Sequence, residues 1–357
     1  MKVVITAGGT GGHIYPAISM INKIKEMDKN AEFLYIGTTD RMEKDIIPSL
    51  GIEYIGIKIK GFSKNLFHLA SFGYLMLSGI SKCKKILKQF KPDVIIAFGG
   101  YVTVPVIYAA NSLGIKSILH EQNSVPGKAN MMLSKYASRI CVSLPSSEKY
   151  FEGKNVLFTG NPRAEEAVKE KKGDKLKYGL SNSKKLVLIT TGSLGAETVN
   201  KVIKDMIPSF KNKQYEVLLV TGKNSFDEMK KVSHASNVKI VPYLDDMLSV
   251  MKNTDLIISR AGATTISEIT ALGIPSILIP SPYVANNHQY LNAKDLSDLN
   301  ASALMEEKVL TADLLLKEID SILNDKEKYK NLAENAKKFG MPKSATMIYN
   351  EMKKILK

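Results

Sequence analysis

At 357 residues, with 44% hydrophobic and 24% charged residues and no low-complexity tract, the chain has room for two ordinary α/β domains, and its composition excludes disorder as the main theme. Its two cysteines, Cys83 and Cys141, exclude a disulfide framework and a CxxC zinc site, and they fit a reducing compartment. The formal net charge of +15 points to an anionic partner, whether nucleic acid, acidic lipid headgroups or a phosphorylated ligand, without choosing among them.

From Met1 the chain runs directly into Val3-Val4-Ile5, without the basic, apolar and small-residue zones of a signal peptide, so nothing here marks it for export. Strands are predicted over 3–6, 33–36, 94–98, 117–119 and 140–142, each followed by a turn signal and a helical pattern. That alternation is the order of a parallel, helix-covered sheet. Between Tyr54 and Pro92 lie eight lysines, at 58, 60, 64, 82, 84, 85, 88 and 91, and no acidic residue. In the same stretch Leu69, Phe72, Met76, Ile80, Cys83, Leu87 and Phe90 recur at helical spacing and form one apolar face opposite lysines. Its leading part, 62–77, gathers phenylalanine, leucine, tyrosine and methionine between lysines and suits an anionic membrane surface. Neither uncharged run reads as a membrane span. The run 66–80 is too short, and 94–115 is divided by Gly99-Gly100, Pro105 and Asn111.

After Thr159-Gly160-Asn161-Pro162 comes a lysine- and glutamate-rich stretch to Lys185, and then the alternation restarts over 186–190, 217–220, 238–241, 256–258 and 277–279. The predicted division is a first domain over 1–162, a second over 163–341 and a closing segment over 342–357. Both series open with a strand running into a glycine loop, Gly8-Gly9-Thr10-Gly11-Gly12 and Gly192-Ser193-Leu194-Gly195. Ligands of such sheets bind beyond the carboxyl ends of the strands, so a cleft between the domains is the expected site.

A strand, clustered glycines and a helix let backbone N–H groups approach a phosphate, with the helix terminus adding partial positive charge. The loop at Gly8 is neither the G-x-G-x-x-G fingerprint nor a Walker A loop, and a plain βα turn explains it equally well. His13, just inside the following helix, has the chemistry of a general base near neutral pH. His120 and Glu121, in Leu119-His120-Glu121-Gln122-Asn123, pose the same choice at the end of another strand. In the second half, Thr265-x-x-Glu268 spells a capping box, a structural device, while the same helix start also suits a pyrophosphate, with Glu268 on ribose hydroxyls. There is no D-x-D pair for a divalent ion; Asp245-Asp246 is a weak metal candidate, and Arg163 and Arg260 are the cations available to phosphate.

Together, Gly8-Gly9-Thr10-Gly11-Gly12-His13 with Pro16, Gly99-Gly100-Tyr101, His120-Glu121-Gln122-Asn123, Gly160-Asn161-Pro162-Arg163 and Arg260-Ala261-Gly262-Ala263-x-Thr265-x-Ser267-Glu268 resemble the MurG family of N-acetylglucosamine transferases, in order, from Met1 to about Asn292. The resemblance implies a GT-B fold of two Rossmann-like domains, with 344–357 returning to the first. It implies an inverting hexosyl transfer from UDP-N-acetylglucosamine to the 4-hydroxyl of the N-acetylmuramyl group of lipid I, giving lipid II for peptidoglycan, with no cofactor and no obligatory metal. It also implies a peripheral position on the cytoplasmic face of the membrane. By resemblance, Arg163, Ser193, Leu244, Ala263, Thr264, Thr265, Ile266, Ser267, Glu268 and Gln289 hold the donor, helped by Thr10, Gly11, Gly12 and Asn123. His13 is the first choice of base, with Glu121 or His120 as rivals. Leu194 departs from the family's usual glutamine, and His288 from a frequent glutamine. Two rival readings remain: a UDP-sugar epimerase of similar shape, and a non-catalytic anion-binding protein. The lysines lack the aromatic array or motif of a nucleic-acid binder, so no nucleic-acid partner is expected.

Overall fold

The computed structural model describes residues 1–59, 66–192, 195–232 and 235–357, with the backbone alone over 66–72. The chain forms two compact units, Met1–Glu165 together with Lys343–Lys357, and Glu166–Pro342. The division falls after Glu165, so Arg163 belongs to the first unit and the charged stretch up to Lys185 mostly to the second.

The first unit is built on a sheet of β1 (Lys2–Thr6), β2 (Glu32–Thr38), β3 (Glu53–Ile57), β4 (Val94–Ala97), β5 (Lys116–Glu121), β6 (Arg139–Val142) and β7 (Val156–Phe158). All pairings are parallel, in the order β3-β2-β1-β4-β5-β6-β7, with Ile5 level with Tyr35 on one side and Ile96 on the other. The central strands are nearly continuous apolar runs because both faces are covered. Val3 and Ile5 meet a layer from α1 (Gly11–Met27), including Ile14, Met20 and Ile24. On the opposite face Val4 and Ile95 meet Cys83 and Leu87 of α3 (Leu66–Phe90), Val106 of α4 (Thr103–Ser112) and Leu133 of α5 (Lys128–Leu133). A short α2 (Glu43–Ser49) follows β2, and α6 (Pro162–Lys169) follows β7.

The expected apolar face of α3 is present where it is described. Cys83 and Leu87 are buried, and Met76 and Phe90 pack against the same core. Tyr74 and Leu77, on other faces, are 73% and 71% exposed.

The second unit repeats the plan with β8 (Leu186–Thr190), β9 (Glu216–Val220), β10 (Val238–Val241), β11 (Leu256–Ser259), β12 (Ser276–Leu278) and β13 (Ala303–Leu304), ordered β10-β9-β8-β11-β12-β13 and all parallel. Its helices are α7 (Glu197–Met206), α8 (Phe226–Met229), α9 (Met247–Met251), α10 (Ala263–Leu272), α11 (His288–Ser297), α12 (Ala312–Asn324) and α13 (Lys326–Phe339). On one face Val187, Ile189 and Ile258 pack with Val199, Ile203 and Met206 of α7 and with Leu315 and Ile319 of α12.

The last helix, α14 (Ser344–Ile355), belongs to the first unit, where Ile348, Tyr349 and Met352 complete the α1 layer. Polar contacts fix it there. Thr346 donates its backbone N–H and hydroxyl to the buried Glu165 at 2.7 and 2.9 Å, Lys23 pairs with Glu165 at 3.1 Å, and Arg139 pairs with Glu351 at 2.9 Å.

In both sheets the strand order reverses beside the first strand of the unit, between β1 and β4 and between β8 and β11. Such a reversal opens a crevice at the carboxyl ends of the two strands. The glycine segments of the sequence leave those strands: Gly8 and Gly99 after β1 and β4, Gly192 and Gly262 after β8 and β11.

Candidate active site

In the first unit the two turns at the switch point are fitted to each other. Gly8 N–H donates to Gly99 O at 3.2 Å. Gly99 and Gly100 have φ of +104° and +87°, a region open mainly to glycine, and a Cβ on Gly100 would lie 2.5 Å from Gly8 O. A Cβ on Gly99 would lie 3.1 Å from His13 Nε2. Both glycines are therefore needed for the turns and the His13 ring to share this space.

Thr10 is the N-cap of α1 and makes no side-chain cap bond; its carbonyl receives the N–H groups of His13 and Ile14 at 3.0 and 3.2 Å. Gly11, Gly12 and His13 form the first turn, whose amides have no partner four residues back within the helix. The half-buried His13 ring places Nδ1 3.0 Å from Gly8 O. A carbonyl only accepts, so Nδ1 carries the proton and Nε2 keeps its lone pair.

His120 is arranged in the opposite sense. It is fully buried, its Nε2 donates to Gly160 O at 3.1 Å, and its Nδ1 accepts from Gln122 Nε2 at 2.9 Å. Burial pushes its pKa down to about 4 against the opposing bond to Gly160, with a smaller push from His13. Both ring nitrogens are committed and the ring is neutral near pH 7. Glu121 is likewise occupied: Oε1 accepts the N–H groups of Gln122 and Asn123 at 2.9 Å each, and Oε2 accepts from Gly127 N–H at 3.0 Å and Asn130 Nδ2 at 2.8 Å. It ties the turn after β5 into shape. Among the three rivals for the base, His13 alone presents an uncommitted lone pair. Asn123 stands beside Glu121, with Nδ2 3.5 Å from Oε1, and the Arg163 guanidinium lies 5.8 Å from the centre of the Tyr15 ring.

In the second unit α10 begins earlier than a capping box requires. Its N-cap is Gly262, with an extended backbone and no side-chain cap bond, so Thr265 sits in the first turn. The capping-box reading is therefore corrected. The half-buried Thr264 and Thr265 share that turn with Ala263, whose amides have no helical partner four residues back. Ile266 is core, Ser267 Oγ donates to Ala263 O at 2.8 Å, and Glu268 is buried a turn further on. Leu244 is buried. Gln289, in the first turn of α11, accepts the Ser281 N–H at 2.9 Å, and α11 packs against α10. Ser193 and the departure at Leu194 lie outside the described residues. The weak metal candidate also has another occupation, since Asp246 accepts from Tyr178 and pairs with Lys177 at 3.1 Å.

Three residues that sequence reasoning did not single out support these loops. Glu307 pairs with Arg260 Nη1 at 2.6 Å, and the same nitrogen donates to Ile279 O at 3.2 Å, which fixes the guanidinium after β11. Asn292, fully buried, donates to Ala261 O at 3.2 Å. Glu43, fully buried on α2, accepts from Gly9 N–H at 3.4 Å in the glycine loop. Nothing in their spacing marks them, because each acts through a loop distant in sequence. The crevice of about 400 Å³ between Thr198 and Lys201 of α7, Tyr283, Tyr290 and Glu307 is lined by none of the residues named for the donor.

Residues 3–142 match the glycosyltransferase family 28 N-terminal domain, and residues 186–348 match its C-terminal domain. The curated UDP-N-acetylglucosamine–N-acetylmuramyl-(pentapeptide) pyrophosphoryl-undecaprenol N-acetylglucosamine transferase of Bacillus licheniformis is 44% identical over 99% of both chains. An enzyme of the same name from Bacillus cereus is 45% identical over the whole of both. The chain belongs to the MurG family. It is a glycosyltransferase of family 28, as the ordered motifs implied.

The crystal structure of Acinetobacter baumannii MurG superposes with a TM-score of 0.78 at 24% identity, covering 99% of this chain and all of that one. The UDP-GlcNAc 2-epimerase of Neisseria meningitidis, bound to UDP-GlcNAc, gives 0.67 at 17% identity with similar coverage. These two likenesses concern the fold, which is GT-B. Fold alone does not separate transferase from epimerase. Full-length sequence identity does.

Proposed function

We propose that the protein moves N-acetylglucosamine from UDP-N-acetylglucosamine to the 4-hydroxyl of the N-acetylmuramyl group of lipid I, with inversion, to form lipid II. The substrates follow from the name carried by relatives that are 44% identical over the full chain. The observation that carries the chemistry is the His13 ring, whose Nδ1 is held by Gly8 O and whose Nε2 lone pair is uncommitted. As the acceptor oxygen bonds to the anomeric carbon, its proton passes to Nε2. The bond from that carbon to the β-phosphate oxygen breaks, and its electron pair leaves on UDP.

The donor is held by the second unit. Developing charge on UDP meets the first turn of α10 at Ala263, Thr264 and Thr265. Glu268 accepts from the ribose, Gln289 and Leu244 complete the donor contacts, and no metal or other cofactor is required. Thr10, Gly11, Gly12, Asn123 and Arg163 are the first unit's contribution.

The acceptor is membrane-bound, and the first unit meets the anionic cytoplasmic leaflet as a peripheral protein. No helix of the described residues is long and apolar enough to cross a membrane. The lysine run from 58 to 91 and the exposed Tyr74 and Leu77 support a surface contact. Lys60, Lys64 and Leu66, the leading candidates for it, lie outside the residues whose side chains are described. The experiment that tests the activity supplies labelled UDP-N-acetylglucosamine with and without lipid I in detergent. Label in lipid II only when both are present supports the transfer, and isomerised sugar from donor alone supports the epimerase.

A further inference from the structure

Glu43 is a carboxylate with no exposed surface, and among the described residues no cation pairs with it. Burying such a charge is costly unless hydrogen bonds compensate. Three donors do so here. Oε1 accepts the Thr38 N–H at 3.1 Å and the Thr38 hydroxyl at 2.7 Å, and Oε2 accepts the Gly9 N–H at 3.4 Å. The surrounding backbone is fitted to the side chain. A Cβ on Gly8 would lie 2.7 Å from Oε1, and one on Gly37 would lie 2.9 Å from Cγ.

The Gly9 N–H belongs to the same peptide group as the Gly8 carbonyl, and that carbonyl accepts from His13 Nδ1 at 3.0 Å. We propose that Glu43 is a positioning residue that acts on His13 through the Gly8-Gly9 peptide group. The inference rests on the reading of His13 as the base. A carboxylate at the N–H end of a peptide polarises it and makes the carbonyl oxygen a stronger acceptor, because hydrogen bonds in a chain reinforce one another. The stronger acceptor holds His13 in the tautomer with Nε2 open and stabilises the imidazolium that forms when Nε2 takes a proton. The arrangement has the logic of a carboxylate behind a catalytic histidine, with one peptide group between them.

The charged and titratable groups around this relay come from several elements. On α1 there is Tyr15, with the Arg163 guanidinium of α6 over its ring. On β5 there are His120, which interacts electrostatically with His13, and Glu121. Tyr101 follows the Gly99-Gly100 turn. Tyr35 on β2 and Tyr54 on β3 lie in the field of Glu43, with Asp40, Arg41 and Asp45 on and before α2. Burial first, and the Glu43 charge second, hold both tyrosine hydroxyls well above the ordinary phenol range, so both are neutral donors.

The test is a double-mutant cycle on the full-length enzyme in the detergent assay with UDP-N-acetylglucosamine and lipid I. Glu43→Gln is expected to lower kcat by about tenfold to a hundredfold, below the 10²–10⁴ that a general base supplies, with the donor KM little changed. The acid limb of kcat/KM should move to lower pH, because an imidazolium deprived of its carboxylate loses its proton more readily. In a His13→Ala background the same substitution should cost no more than about twofold, and Glu43→Asp should return part of the limb shift. An equal loss in both backgrounds, or an unmoved acid limb, overturns the relay while leaving His13 as base. Undiminished turnover of His13→Ala removes the base reading and the relay with it. If Glu43→Gln does not fold, the imidazole ¹⁵N shifts of His13 in the unsubstituted protein decide: an Nδ1–H tautomer is expected, and an Nε2–H tautomer overturns the proposal.

Discussion

His13 and His120 occupy neighbouring turns of one unit, yet their hydrogen bonds divide them into a ring with an open nitrogen and a ring with none. His13 protonates Nδ1 toward Gly8 O and keeps Nε2 open, whereas His120 spends both nitrogens on Gly160 and Gln122. His13→Ala is therefore expected to lower kcat by about 10²–10⁴ while leaving the donor KM nearly unchanged, as steady-state kinetics with both substrates will read. For His120 the consequence is one of stability. In the unfolded chain its ring takes up a proton near the ordinary pKa of about 6.5, whereas in the native protein the value is about 4. As pH falls below 6.5 the unfolded state binds more protons, so stability drops, and the loss levels off below the native value. The shift corresponds to about 3 kcal/mol. Urea unfolding at pH 7 and pH 4.5 should show a steeper loss in the natural protein than in His120→Gln; identical losses would contradict the assignment. Residue type alone left His13, His120 and Glu121 level as candidates, because neither tautomer nor burial can be read from a letter in a sequence. Glu43 gave no signal at all.

Turns at the switch point of each unit carry that unit's candidate residues, and their glycines were the most legible elements in the sequence. What the sequence did not contain was the reason for each one: Gly100 is a glycine because its φ of +87° and the Gly8 carbonyl leave no place for a Cβ. Gly100→Ala is expected to destabilise the protein by about 1–3 kcal/mol from backbone strain, and to reduce turnover because the carbonyl that holds His13 must shift. Thermal unfolding together with kcat will separate the two effects. Normal turnover at normal stability would mean that the fit between the turns is dispensable. Strands with four or more apolar residues were read at close to their observed limits. Missed were β3, whose Gly56 and edge position weaken the pattern, and β7 and β13, which are too short to show a period. The capping box misled because Thr265-x-x-Glu268 has the right spacing on a helix that begins at Gly262.

For the whole molecule, repeated strand-and-glycine openings were enough to predict two similar α/β halves, the family resemblance made them Rossmann-like, and the two family 28 matches, over 3–142 and 186–348, fall mainly one in each half. A shared fold does not carry the reaction, since an epimerase has the same architecture at 17% identity. Membrane contact is a further claim at this scale. With about 1 kcal/mol per basic residue near an anionic surface, Lys60→Glu with Lys64→Glu should weaken sedimentation with anionic vesicles at least tenfold and leave neutral vesicles unaffected. Undiminished binding would move the contact elsewhere. The most direct test of the central claim follows labelled N-acetylglucosamine from UDP to lipid I, with the purified natural protein and His13→Ala side by side. The expected result is labelled lipid II that requires both substrates and nearly vanishes in the variant. Label that never reaches the lipid, or that appears as an isomerised sugar nucleotide from donor alone, would contradict it.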